Sequence, residues 1–457
     1  VCSSDLPKQS RLESFLHEPS KALWTLAIPV MAGMGIQTLY SIVDMIFIGR
    51  LGGDSIAAVA FNMPLFFLVL GLTMGLGSGV SATIARYIGA KDKVNADNSA
   101  EHAILIGLFI STILTTLGFL YGQTMLQNLG ATDAIVHLSW SYLKIICMGL
   151  PFMVFSAFFR SILAGEGDMK FPMMVAGLGT VLNIIFDPIF IFVLDYGVAG
   201  AAIATILSQG IVFIIFVYML FFKDHAYVTF RLRDFTFSRK ILGEIIKIGL
   251  PASMSMVIMA MGQAVFNRIL IHYNAESVAA YQVAGRLDML VFLPIMAIAH
   301  GLTTLVGMFF GAQEVDKLKA IIRYGVTRAV LVTIGSSTLV YIFAPFFIRS
   351  FTPDPAIQTI AIQYLRIMAF AYPFIAIGMT SGRIMQGLGK GIPMLIITTI
   401  RVLLVSSLLS LYFTFILDKP VQFVWYSMVI STFIAASISL TWLRTVLRKT
   451  VQPLPEK

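Results

Sequence analysis

Two aspartates lie in segments of this sequence that are otherwise almost entirely apolar. Asp44 occurs in TLYSIVDMIFIGRLG, residues 38–52, and Asp187 occurs in NIIFDPIF, residues 183–190. A charged side chain inside a bilayer costs about 2.5 kcal/mol or more, so such residues are usually functional or paired. Carboxylate, amide and hydroxyl oxygens are the ligands that hard cations prefer, and a desolvated carboxylate also takes up protons readily. These residue types therefore predict a site for a cation or a proton.

The spacing of nearby polar residues extends the predicted site over three segments. Asn183 precedes Asp187 by four residues, so the two side chains share one face of a helix. At about 1.5 Å of rise per residue, Asp44, Asp187 and Thr205 reach a similar outer depth in their segments. We predict one site for H+ or Na+, formed by Asp44, Asp187, Asn183 and Thr205. The alternative is a buried ion pair in which Lys144 neutralises one of the aspartates.

The composition indicates which elements carry these residues. The chain has 457 residues, of which 58% are hydrophobic and 12% are charged, whereas a soluble protein carries about 25% charged residues. Apolar segments of roughly 20 residues, the length of a membrane-crossing helix, recur from end to end. The predicted fold class is an all-α polytopic membrane protein. Its twelve predicted transmembrane helices cover approximately 22–48, 56–83, 99–121, 134–157, 171–193, 198–221, 243–271, 277–306, 321–343, 356–382, 393–417 and 421–444.

The second half of the sequence repeats the first at a shift of 222 positions. YLKIICMGLPF at 142–152 matches YLRIMAFAYPF at 364–374, and IP at 28–29 matches LP at 250–251. Each half holds six predicted spans, an even number, so both copies insert in the same orientation. The halves should therefore form two six-helix lobes around a central cleft, related by a pseudo-twofold axis along the membrane normal.

The repeat also predicts where the domains begin and end. Residues 1–6, VCSSDL, look unlike the rest, and we interpret them as an artefact of sequence assembly. The predicted parts are a cytoplasmic tail at 1–20, an N-lobe at 21–222, a cytoplasmic linker at 223–240, a C-lobe at 241–446 and a cytoplasmic tail at 447–457.

Acidic residues that occur in only one half are better candidates for function than features that both halves share. Asp44 aligns with Phe266, and Asp187 aligns near Leu408, so neither has an acidic counterpart. Asp288, in AGRLDML, is a secondary candidate. We favour a structural ion pair for it over a second coupling or substrate site. Arg286 is close in sequence but faces away on a helix, and the other possible partners are Arg268, Arg366 and Arg401.

Several uncharged residues are candidates for a substrate cavity or for gating. Pro29 interrupts the first span, where a helix can bend because proline frees a carbonyl; a static kink is the alternative. Methionine is flexible and suits promiscuous apolar surfaces, although ordinary packing also explains it. The cavity or gating candidates are Tyr40, Gln37, Pro29, Tyr142, Met173 and Gln263.

The charge distribution predicts topology rather than nucleic-acid binding. The formal net charge is +9, but the Lys and Arg residues concentrate in alternate links, as they do on the cytoplasmic side of membrane proteins. Both termini are therefore predicted to be cytoplasmic. The sequence holds no P-loop, no GxSxG, no CxxC and no His/Glu metal cluster. We expect neither an enzyme nor a self-contained ATP-driven pump, and no cofactor.

The order and spacing of these motifs resemble the multidrug and toxic compound extrusion (MATE) family, and within it the DinF-like prokaryotic branch. The resemblance covers essentially residues 20–446 and includes LAIPVMAGMGIQTLYSIVDMIFIGRLG, RSILAGEGDMKFP and NIIFDPIFI. It implies a MATE/MOP-type fold in the cell inner membrane. It also implies an antiporter that exports small organic cations and amphiphilic drugs in exchange for H+ or Na+, by alternating access.

The resemblance also implies roles for individual residues. The cation-site aspartates of the DinF-like branch match Asp44 and Asp187, and its asparagine, threonine and tyrosine match Asn183, Thr205 and Tyr40. Bending of the first helix would correspond to Pro29. The carboxylates of the NorM-like branch fall near Ala260 and Ile375, so that branch's C-lobe cation site looks absent. We expect a monomer.

The main rival function is a lipid-linked oligosaccharide flippase of the same superfamily. Such a protein needs a cationic cavity for pyrophosphate, and only the set of Arg268, Arg286, Arg366 and Arg401 favours it. A channel or a non-transporting membrane receptor is a rival of a different class. The acidic cluster of the N-lobe favours cationic cargo over the flippase. The repeat symmetry and the confinement of those acids to one lobe argue against the channel or receptor.

Overall fold

The computed structural model describes residues 10–130, 132–230 and 235–451, apart from the side chains of residues 39–42, 45, 450 and 451. The described residues form helices, turns and links but no strand. In the first half the α-helices are α1 Leu12–His17, α2 Pro19–Gly49, α3 Gly53–Ala60, α4 Met63–Gly89, α5 Lys93–Asn128, α6 Asp133–Gly165, α7 Lys170–Pro188 and α8 Gly197–Val217. π-Helical turns at Ile189–Val193 and Tyr218–Phe222 extend α7 and α8.

The second half has a matching series of helices. They are α9 Arg239–Tyr273, α10 Ala275–Gly311, α11 Val315–Phe351, α12 Pro355–Met368, α13 Tyr372–Gly387, α14 Ile392–Thr399, α15 Leu408–Leu411 and α16 Gln422–Val451. π-Helical segments at Ile400–Ser407 and Tyr412–Ile416 flank α15.

Every predicted span falls on a helix or on a broken helix. Among the described residues, ten helices are long and apolar enough to cross a membrane, or eleven if α12 and α13, which meet at 56°, form one span. The remaining predicted span, 22–48, lies in α2, where some side chains are outside the described residues. The prediction of an all-α polytopic membrane protein is confirmed.

The chain divides into two compact units. Among the described residues, one comprises those within 28–246 together with 10–13, and the other comprises 247–451 together with 14–27. The start of α2 therefore groups with the second unit and the start of α9 with the first. The boundaries of the N-lobe at 21–222 and of the C-lobe at 241–446 stay a prediction.

Small residues bring α6, α7 and α8 close together within the first unit. A Cβ atom at Gly149 would lie 2.4 Å from Ile206, and one at Gly179 would lie 2.5 Å from Val212. Glycine at such contacts lets helix backbones approach closely in a membrane, where van der Waals packing drives association. These contacts hold α7, which carries Asp187, against α8, which carries Thr205.

Candidate functional site

Asp187 is a fully buried carboxylate near the end of α7. Its relative exposure is 0%, and that of Asn183 is 3%. Asn183 Nδ2 donates a hydrogen bond of 3.0 Å to Asp187 Oδ1, as the four-residue spacing predicts. Oδ2 of Asp187 has no hydrogen-bond partner among the described residues. One carboxylate oxygen is thus held in place while the other can accept a proton or coordinate a cation.

The backbone after Asp187 leaves the regular α-helix. Pro188 has no N–H, and the chain continues as the π-helical turn Ile189–Val193. π-Helical turns are rare and frequent at functional sites. Gly200 of α8 lies against this turn, because a Cβ atom there would be 2.5 Å from the carbonyl oxygen of Phe190. The close contact fixes the turn that follows the carboxylate.

Asp44 joins the site from α2. Its side chain is half-buried, and its charge acts on Asp187 and on the phenol of Tyr142. Two carboxylates within electrostatic reach repel each other when both are charged, and a bound proton or a shared cation relieves that repulsion. The grouping of Asp44 with Asp187 in one cation site stays a prediction.

Tyr142 of α6, predicted to line a cavity or to gate, is 5% exposed. It packs in an apolar cluster with Ile48, Val59, Ile146 and other buried residues. This cluster belongs to the surroundings of the two aspartates, since Tyr142 interacts electrostatically with both. A low-dielectric surrounding strengthens the interaction of the carboxylates with any bound cation.

The remaining predicted ligand and the predicted counter-ion occupy different surroundings. Thr205 is half-buried, and its hydroxyl donates to the carbonyl of Ala201 at 3.0 Å on its own helix. Its lone pairs stay available for a cation. Lys144 is exposed and forms no ion pair with an aspartate within the described ranges. The alternative of a buried Lys144 ion pair is wrong, because Lys144 lies two residues from Tyr142 and faces away from the site.

The other cavity candidates are spread over both units. Pro29 lies inside α2. Met173 of α7 packs against α2, since its Sδ is 2.5 Å from where a Cβ atom at Gly33 would lie. Gln37 and Gln263 are exposed on α2 and α9. The side chain of Tyr40 lies outside the described residues.

Asp288 of the second unit is bonded differently from what we expected. Its exposure is 8%. Tyr364 donates to Oδ2 at 2.6 Å, and Tyr372 donates to Oδ1. No arginine or lysine forms an ion pair with Asp288 in the part of the chain that the structure describes. Arg286 is exposed on the other side of α10, so the expected arginine ion pair is wrong.

The sequence repeat could have indicated a tyrosine beside Asp288. Tyr364 is the counterpart of Tyr142 at the 222-residue shift. Each half thus has a tyrosine at the same repeat position beside a buried aspartate, although the aspartates come from different helices. Across the described residues, no group of three or more His, Cys, Asp or Glu side chains could hold a metal ion, so a zinc-type centre has no support there.

Apolar helices in two repeated halves, each with a buried aspartate, are the arrangement of a membrane transporter of the parallel-repeat kind. The MatE family model matches residues 29–189 and again residues 251–411. The second match begins 222 residues after the first, which is the shift found in the sequence. The chain therefore belongs to the MATE family, whose members are transporters and not enzymes.

Individual relatives agree with this assignment. The "Probable multidrug resistance protein NorM" of Thermotoga maritima is 30% identical over 405 residues, covering 87% of this chain and 85% of the relative. The "Multidrug export protein MepA" of Staphylococcus aureus is 29% identical over 393 residues, covering 84% and 85%. A solved structure described as the outward-facing conformation of a multidrug resistance MATE family transporter of the MOP superfamily matches with a TM-score of 0.93. It is 33% identical and covers 97% of this chain and 99% of that one.

Proposed function

We propose that this MATE transporter is a secondary antiporter that exports small organic cations and amphiphilic drugs in exchange for H+ or Na+. The single observation that carries the proposal is the fully buried Asp187, with one oxygen unbonded and Asp44 within electrostatic reach. A buried carboxylate oxygen with no fixed partner in a membrane domain suits a mobile one, such as an ion. The names of the relatives support drug cargo.

The coupling site consists of four oxygen-bearing side chains. Asp187 and Asp44 supply the negative charge, Asn183 orients one carboxylate oxygen, and the hydroxyl of Thr205 offers lone pairs. Such a donor set suits Na+, a hard cation, and each carboxylate can also take a proton. The proposed site consists of Asp44, Asp187, Asn183 and Thr205.

Binding of the ion is coupled to export by alternating access. The ion neutralises the aspartate pair, and the site then loses its attraction for a cationic drug. By linkage, an ion that weakens drug binding is itself bound less tightly when the drug is present. Pro29 gives α2, which carries Asp44, a point at which the helix can bend as its charge changes.

The proposed location is the cell inner membrane, with both termini in the cytoplasm and the protein acting as a monomer. The support is the concentration of Lys and Arg in alternate links. In this topology the predicted coupling site lies toward the outer side, from which the driving ion enters.

The flippase alternative is less well supported. A pyrophosphate site needs several arginines directed at one ligand. Arg286 and Arg366 are both exposed, and Arg366 stacks over the ring of Tyr341 at 5.6 Å. The curated relatives compared above carry drug-resistance or drug-export names.

The test is ethidium efflux from proteoliposomes under an imposed pH gradient or an imposed Na+ gradient. We expect one gradient to drive efflux in the wild type, and Asp187→Asn and Asp44→Asn to abolish the gradient-dependent part. Asp195→Asn is the matched control, because Asp195 is exposed and its φ of 55° suits asparagine. Efflux by Asp187→Asn at the wild-type rate would refute the coupling role, and a wild type that moves nothing under either gradient would favour the flippase.

A further inference from the structure

The predicted linker at 223–240 is attached to the first unit by many polar contacts. The backbone N–H groups of Tyr227 and Val228 donate to the two carboxylate oxygens of Glu166, at 2.9 and 2.6 Å. Glu166 lies in the turn between α6 and α7 and is 5% exposed. Backbone N–H groups that leave solvent need a partner, and Glu166 supplies one to each of two consecutive residues.

Linker residues before and after Tyr227 and Val228 also contact the first unit. His225 Nε2 lies 3.1 Å from Asp168 Oδ2, which also pairs with Arg11 at 2.9 Å. The backbone N–H and the hydroxyl of Thr229 donate to Asp97 of α5, at 2.9 and 2.8 Å. Farther along, the N–H of Ser238 donates to His102 Nε2 at 3.0 Å. We use the name strap for the described linker residues 225–230 and 235–238.

We propose that the strap is a proton-sensitive latch on the α6–α7 turn, and that Glu166 is the residue whose protonation sets its hold. The strap and the start of α7 share one carboxylate: Asp168, which lies beside His225 of the strap, also accepts the N–H of Phe171 at 3.1 Å. The far end of that helix carries Asp187. The topology of the proposed function places the strap in the cytoplasm, so the latch would sense the pH on the side from which drugs are taken up.

The burial of Glu166 determines whether the strap is held more tightly at low or at high pH. Burial raises the pKa of Glu166 to about 7 from 4.5, and it outweighs the two strap amides, which favour the charged form. Undocking returns water to the carboxylate, so docking takes up a proton between these two values. The latch is therefore tightest at acidic pH, loosens as the pH rises toward 7 and changes little above it.

Other charged and titratable groups lie close to Glu166 and the strap. His102 accepts the Ser238 N–H through Nε2, and His225 Nε2 lies 3.1 Å from Asp168 Oδ2. The charged and titratable groups around Glu166 and its strap contacts are Asp168, Arg11, His225, Tyr227, Lys93 and Asp97.

The test is hydrogen–deuterium exchange of the full chain in nanodiscs, with rates divided by the intrinsic rate at each pH. We expect protection of the Tyr227 and Val228 amides to fall from about pH 5 to pH 8 by up to the order of a hundredfold. Glu166→Gln should remove this dependence, because glutamine has a similar size but does not titrate.

Two control variants separate the residues. Asp97→Asn should weaken protection at Thr229 and leave the pH dependence at Tyr227 and Val228 unchanged. His225→Gln should also keep that dependence. Protection in the wild type that is constant with pH, or that rises with pH, would overturn the proposal. So would a pH dependence that survives Glu166→Gln or disappears in His225→Gln.

Discussion

Asn183 donates its 3.0 Å hydrogen bond to one oxygen of Asp187 and leaves the other oxygen without a partner. The two residues are one helical turn apart on α7, and both are nearly inaccessible to solvent. A carboxylate that is oriented on one side and unbonded on the other is prepared for a ligand that comes and goes. Asp44 supplies a second negative charge from α2.

Replacement of Asn183 should distinguish the two coupling ions. A hydrogen bond to a charged group contributes about 1.5–3 kcal/mol, so Asn183→Ala destabilises the bare carboxylate and also removes a cation ligand. We expect the apparent affinity for Na+ to fall at least tenfold if Na+ drives export, and the apparent affinity for protons to rise if H+ does. Ion titration of ethidium efflux measures both. Asn128→Ala, at an exposed position of α5, should change neither, and unchanged affinities in Asn183→Ala would contradict the assigned role.

Gly200 should be intolerant of any side chain. A methyl group there would lie 2.5 Å from the backbone carbonyl oxygen of Phe190, so the π-helical turn after Asp187 must move. We expect Gly200→Ala to lose about 1–3 kcal/mol of stability and to lower gradient-driven efflux in the protein that still folds. Gly335→Ala on α11 is the control, since nothing lies within 4 Å of its Cβ position, and alanine favours a helix by up to about 1 kcal/mol. Equal thermal midpoints for the two variants would contradict this prediction.

Asp288 should prove to be a structural residue of the second unit. Tyr372→Phe removes a donor and leaves a buried carboxylate oxygen unsatisfied, which costs about 1–3 kcal/mol. We expect a lower thermal midpoint in detergent, and a similar effect for Tyr364→Phe. Asp288→Asn should lower stability yet keep efflux dependent on the same ion gradient as the wild type. Loss of that dependence in a stably folded Asp288→Asn would instead identify a second coupling group.

The ion pair of Arg11 with Asp168 should give a pH-dependent contribution to stability. Burial raises the pKa of Asp168, but Arg11, the Phe171 amide and His225 together lower it below its ordinary 3.8. A carboxylate with a lowered pKa stabilises the fold above its unfolded value, and this contribution is lost as the pH falls below that value. We expect Arg11→Gln to cost about 1 kcal/mol near pH 7, since the arginine is half-exposed, and progressively less as acid protonates Asp168. Thermal melts of both proteins across this pH range would show the difference, and a cost independent of pH would contradict it.

The local pattern of the sequence determined the spans, the repeat and one contact of the predicted site. Segments of about 20 apolar residues must become helices in a bilayer, because no water is present to satisfy the backbone. The 222-residue shift follows from residue identity alone. The pairing of Asn183 with Asp187 follows from a four-residue spacing, since both lie on one helix and need no tertiary information.

The tertiary structure alone decided which side chains from different helices meet. Asp44 of α2 interacts electrostatically with Asp187 of α7. Asp288 accepts from two tyrosines instead of pairing with an arginine, and the linker donates to Glu166. Helical periodicity gives the face on which a residue lies, but it does not give the rotation of one helix against another or the path of a link. Those depend on packing between residues far apart in the chain, such as Gly200 against the carbonyl of Phe190, where the absence of a side chain sets the distance.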